Sequence, residues 1–122
     1  MLQNGPAVRV IIHLNEDTGS RKDYLHREVL SFLFVNEVSG ATVIRPHAGF
    51  GLHHRVHTAG AAGIEGEHLP IRIEFVEVRQ KVDFLLPHLF EMVTDGIIEA
   101  QETTVLKVGG HPGSALIGGL EG

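Results

Sequence analysis

The stretch PIRIEFVEVRQKVDFLLPHLFEMVTDG, Pro70–Gly96, changes its hydrophobic period halfway along, and that change decides the fold. From Pro70 to Val78 the apolar residues alternate, with Ile71, Ile73 and Phe75 on one face and Arg72 and Glu74 on the other, which is the period of a half-buried strand. From Arg79 to Val93 the apolar positions Val82, Leu85, Leu86, Leu89, Met92 and Val93 follow the i, i+3, i+4, i+7 rule of an amphipathic helix. Pro87 removes one helical hydrogen bond, so a kink or a late start is expected. Asp95-Gly96 then turns the chain into a last strand or strand pair over Ile97–Val108.

The same grammar repeats upstream. Ala7–Leu14 alternates Val8, Val10, Ile12 and Leu14 against Arg9, Ile11 and His13, and reads as the first strand. Ser20 and Asp23 resemble a capping box, so a helix is expected from about Arg21 to Val38, turning Leu25, Val29, Phe32 and Leu33 inward and stopping at Gly40 as C-cap. The β-branched Ala41–Arg45 is the second strand. The order is βαββαβ, an α+β arrangement whose usual solution is ferredoxin-like: an antiparallel sheet with two helices on one face. The expectation is one domain over residues 1–122, with its core at about 7–108. Outside that core lie a long mobile arm at about 46–69, between the second and third strands, and a Gly-rich C-terminal tail at 109–122.

Composition narrows the function. There is no cysteine, hence no disulfide, no thiolate zinc site and no thiol nucleophile. With no export signal and no long apolar span, a cytoplasmic, soluble protein is expected. A net charge of -5 without a basic cluster argues against nucleic acid as a partner.

Chemistry is concentrated in the arm, in GFGLHHRVHT, Gly49–Thr58. Gly49 and Gly51 let the backbone come close to a phosphate or carboxylate, or simply carry the chain around Phe50; both readings stay open. His53 and His57 have the composition of a metal site, but an extended chain would hold them about 13 Å apart on one face, and only a helical turn or a second subunit would join them. The residues between them, His54, Arg55 and Val56, include no glutamate to act as general base, so the HEXXH hydrolase arrangement is absent. Arg55 suits a ligand phosphate or an acidic target equally with plain solvation. Five of the nine histidines, His47, His53, His54, His57 and His68, lie in or beside the arm, which makes its charge sensitive between pH 5 and 8.

The runs GATVIRPHAGFGLHHRVHT (40–58), LPIRIEFVE (69–77) and LLPHLFEMVTDGII (85–98) together resemble the domain of unknown function 190 family, a branch of the PII-like superfamily. The resemblance implies a homotrimer of ferredoxin-like subunits. It implies a small-molecule ligand, such as an adenine nucleotide, bound between them, and an arm that engages a target, with a membrane transporter or channel as the regulated partner. No catalysis is implied, so the chain is expected not to be an enzyme. The ligand would meet Gly49, Phe50, Gly51, His53, Arg55, His57 and Lys107. In the loop TDGIIEAQ, PII proper would carry glycines and lysines, whereas this chain has Asp95 and Glu99, and Lys107 is the one basic residue expected on the last strand. The alternative is a divalent-metal-binding protein similar to the CutA type, with His53 and His57 as ligands.

Overall fold

A computed structural model of the chain describes residues 1–14, 25–46, 48–49, 57–58 and 70–109. Their elements run β1 (Gly5–Leu14), α1 (Leu25–Val35), β2 (Ala41–Ile44), β3 (Ala48–Gly49), β4 (His57–Thr58), β5 (Ile71–Glu77), α2 (Arg79–Met92) and β6 (Gly96–Val105). Four strands form one sheet in the order β2-β5-β1-β6, every neighbouring pair antiparallel. The expected ferredoxin-like arrangement is therefore observed. Its two central strands are the two with the cleanest apolar alternation.

That alternation is what builds the core. Val8, Val10, Ile12 and Leu14 of β1 and Ile71, Ile73 and Phe75 of β5 are all buried and share one cluster with Leu25, Val29 and Leu33 of α1 and Val82, Leu85 and Leu89 of α2. Both helices thus cover the same sheet face, and each such side chain contributes about 1.5–3 kcal/mol of gross burial. Because the period of a strand is two, the intervening residues must point to the other face. Register makes that face contiguous: Ile44 lies opposite Arg72, Arg72 opposite His13, and His13 opposite Ile97.

Several local expectations change. The start of the first helix, with Ser20 and Asp23, lies outside the described residues. Its end comes at Val35, and Gly40 is not the cap. Instead Glu37 takes the left-handed conformation at φ 62°, the N–H of Val38 donates to the carbonyl of Leu33 at 3.1 Å, and that of Glu37 donates to Phe34 at 3.0 Å. This is a Schellman closure, and Val38 supplies its apolar contact by packing on the core. Helix α2 begins at Arg79 as its periodicity requires and continues through Pro87 to Met92, with no late start. Pro87 is exposed, and the helical bond it cannot make is the one to the Asp83 carbonyl. The last strand is a single one that ends at Val105, three residues short of the expected limit.

Gly96 has a different reason to be glycine than the turn. A Cβ there would run into the carbonyl oxygen of His13, because β6 enters the sheet against the end of β1. The close approach lies at the Leu14–Gly96 end of the ten-rung β1–β6 ladder.

Candidate functional site

The arm meets the framework at the β2 edge. After β2 the chain forms a short antiparallel pair, with Ala48 opposite Thr58 and Gly49 opposite His57. The pairing brings Gly49 and His57 together across a two-stranded ladder. Gly49 also lies beside Pro70, whose ring carbon would be 3.6 Å from a Cβ at that position, so the ladder begins next to the entry to β5. Phe50, Gly51, His53 and Arg55 lie outside the described residues. Lys107 is not on the last strand: it is exposed, two residues beyond the end of β6. There the N–H of Val108 donates to the Asn4 side-chain oxygen at 2.9 Å, which ties the segment after β6 to the one before β1. Gly49 and His57 are thus brought together, whereas Lys107 follows β6, the edge strand opposite β2.

The sheet face opposite the helices carries a second group of residues. Glu74 lies between two arginines: Arg72 Nε is 2.8 Å from one carboxylate oxygen and Arg9 Nη1 is 3.6 Å from the other. On the adjoining β1–β6 pair, His13 Nε2 meets Glu99 Oε2 at 2.5 Å. Where β2 joins β5, a shallow hollow of about 290 Å³ opens among Leu2, Arg9, Ser39, Thr42, Glu74 and Val76. Arg9 and Glu74 both line this hollow, while Arg72 holds the other carboxylate oxygen of Glu74 from outside it. Such a surface can receive an anion or the acidic side chain of a neighbour, since a planar guanidinium presents paired donors to either. Between these charges lie Ile11, Ile44 and Val76, half-buried, and Ile97, exposed. No described helix covers them.

Strand alternation already assigned Arg9, His13, Arg72 and Glu74 to this outward face. It could not give their partners, because pairing depends on register, and register is fixed by tertiary close approaches such as the one at Gly96. The residue that sequence reasoning missed outright is Glu77. It continues the Ile71, Ile73, Phe75 face and is fully buried, with its Oε2 accepting a hydrogen bond from the Ser39 N–H at 2.6 Å.

Among the described residues no three histidine, aspartate or glutamate side chains converge; His53 and the His57 side chain lie outside them. No described helix is long and apolar enough to cross a membrane.

Comparison with known proteins adds four findings. The profile of the DUF190 family, described as Uncharacterized ACR, matches residues 7–105. The UPF0166 protein MJ1524 of Methanocaldococcus jannaschii is 26% identical over 101 residues, covering 79% of this chain and 88% of that protein. Among solved structures, CPII, a nitrogen regulatory PII-like protein from Thiomonas intermedia K12 bound to ADP, AMP and bicarbonate, superposes with a TM-score of 0.60 at 20% identity, covering 88% of this chain and 94% of that one. The same protein bound to ADP and bicarbonate gives 0.55 at 17%, with 88% and 95% covered. At this identity the structural likeness establishes a common fold.

Proposed function

The chain belongs to the DUF190 family, and from that premise we propose that it is a PII-like regulator, one that binds a small anionic ligand between subunits and passes the bound state to a partner through the 46–69 segment. The observation that carries the proposal is the uncovered sheet face. It combines Ile11, Ile44, Val76 and Ile97 with the Arg9–Glu74–Arg72 group, and apolar surface interleaved with fixed charge suits contact with further copies of the chain. A homotrimer closed over this face would bring the hollow at Arg9 and the foot of the 46–69 segment toward neighbouring subunits. The likeness in fold to CPII, which binds ADP, AMP and bicarbonate, supports an adenine nucleotide or bicarbonate as ligand class.

In this proposal Gly49, Phe50, Gly51, His53, Arg55 and His57 form the ligand-responsive side of the segment, with Lys107 supplied from beyond β6. Ligand binding would act by differential affinity for two arrangements of the segment, and a partner such as a membrane transporter would read the arrangement. Binding, with no bond made or broken in the ligand, is the whole of the activity.

The test is titration calorimetry and thermal unfolding with ADP, AMP and bicarbonate set against zinc and copper, alongside light scattering after gel filtration. A trimer whose unfolding temperature rises with ADP or AMP in a saturable way is the expected result, since a ligand that binds only the native state stabilises by RT ln(1 + [L]/Kd). A monomer, or a protein stabilised by zinc or copper alone, would overturn the proposal.

A further inference from the structure

Glu77 stands where the core asks for an apolar side chain. It follows Ile71, Ile73 and Phe75 on the buried face of β5, lies opposite Val8 of β1, and is 0% exposed. Its two oxygens differ: Oε2 takes the Ser39 N–H at 2.6 Å, while Oε1 is buried with no hydrogen-bond partner among the described residues. A buried carboxylate in this condition is costly, so what its bonded oxygen holds should matter to the fold.

What it holds is the foot of β2. The β2–β5 ladder ends at Ala41 opposite Phe75, and extending that register by two residues places Ser39 opposite Glu77. Upstream, the Schellman closure uses the N–H groups of Glu37 and Val38, so Ser39 offers the next backbone donor, and the Glu77 side chain accepts it where a backbone carbonyl would in a longer ladder. A neighbouring tie from α2 joins it, with Lys81 Nζ donating to the Glu37 carbonyl at 3.3 Å. Strand β2 itself brings little to hold it in place. It has four residues, pairs among the described residues with β5 alone and contains no fully buried side chain.

We propose that Glu77 is the positioning residue for the foot of the 46–69 segment: by clamping the Ser39 amide it keeps β2 seated on β5, and β2 leaves the sheet as a unit when the clamp opens. Such a unit is a local opening of low free energy within an otherwise stable framework. The inference goes beyond the ligand-binding proposal, and a failed nucleotide titration would leave it standing.

Amide hydrogen exchange followed by NMR tests it, reading Ser39 and the hydrogen-bonded amides of Ala41–Ile44 against those of β1 and β6. Glu77→Leu keeps the volume and removes the acceptor; exchange in β2 is expected to accelerate about 100-fold relative to β1. Glu77→Gln restores an acceptor oxygen and should bring β2 back to within about threefold of the wild-type rate. Glu77→Asp keeps the carboxyl group but withdraws it by one bond of about 1.5 Å, and decides the matter if the leucine variant does not fold: about tenfold faster exchange in β2, with β1 and β6 unchanged, is expected. Equal acceleration in β2, β1 and β6, or no acceleration in β2, overturns the proposal.

Discussion

The sheet has two edges, and they are held in different ways. At one edge β6 pairs with β1 over ten rungs, from Gly5 opposite Val105 to Leu14 opposite Gly96, although none of its side chains is fully buried. At the other, β2 pairs with β5 over four rungs and depends on a side-chain clamp beyond its end. The difference shows that a long ladder can secure an edge strand whose side chains are only partly buried, whereas a short one needs its connection to be tied down. It also makes the weakly held strand the one from which the chain leaves the sheet at Ile44 toward residues 46–69.

The largest expected effect would erase stability without touching the contrast. Ile12 is fully buried in the central strand β1, opposite both Ile73 of β5 and Ile98 of β6. Ile12→Ala removes three carbons from a packed site and should cost about 2–5 kcal/mol, lowering Tm by roughly 8–20 °C. Calorimetry gives the loss, and amide exchange should show both edges weakened by a similar factor. A loss confined to one edge would mean that the edges do not share the core as described.

A smaller effect should strike the strong edge alone. At Gly96 a Cβ meets backbone, the His13 carbonyl, and backbone cannot swing aside as a flexible side chain can. Gly96→Ala should therefore cost about 1–3 kcal/mol in denaturant unfolding, with faster exchange at the Leu14 and Ile97 rungs and none at β2. An alanine accepted without loss would show that β6 can shift and that its register is not fixed there.

These two positions also mark how far the fold can be read from residues alone. The period change around Val78 and the alternation in Ala7–Leu14 give both helical and strand faces, because burial acts locally on every second or every third and fourth residue. Gly96 reads as a turn former, yet its requirement is a contact with residue 13, more than eighty positions away. Alternation alone would put Glu77 on the buried face of its strand, yet nothing in the pattern names the Ser39 N–H, 38 residues earlier in the chain, that its carboxylate accepts there. Of the arm, Gly49 and His57 prove to be paired, while the pairing itself left no mark in the spacing of GFGLHHRVHT. Long-range pairing is what single-residue patterns cannot carry.

The smallest prediction works in the opposite direction, strengthening the weak edge. Glu37 occupies the left-handed region at φ 62°, where a side chain with a Cβ is strained by about 1–2 kcal/mol relative to glycine. Glycine there would relieve that strain but lose more backbone entropy on folding, an offset of roughly 0.5–1 kcal/mol. The Lys81 bond to residue 37 uses the main-chain carbonyl, so it survives the substitution. Glu37→Gly should then stabilise the protein by about 0.5–1 kcal/mol in urea unfolding, and slow exchange at Ser39 and β2 more than at β6. Destabilisation would mean that the Glu37 side chain makes a contact worth more than the strain it imposes, and the account of the α1–β2 connection as a backbone closure supported by Glu77 would have to give that side chain a part.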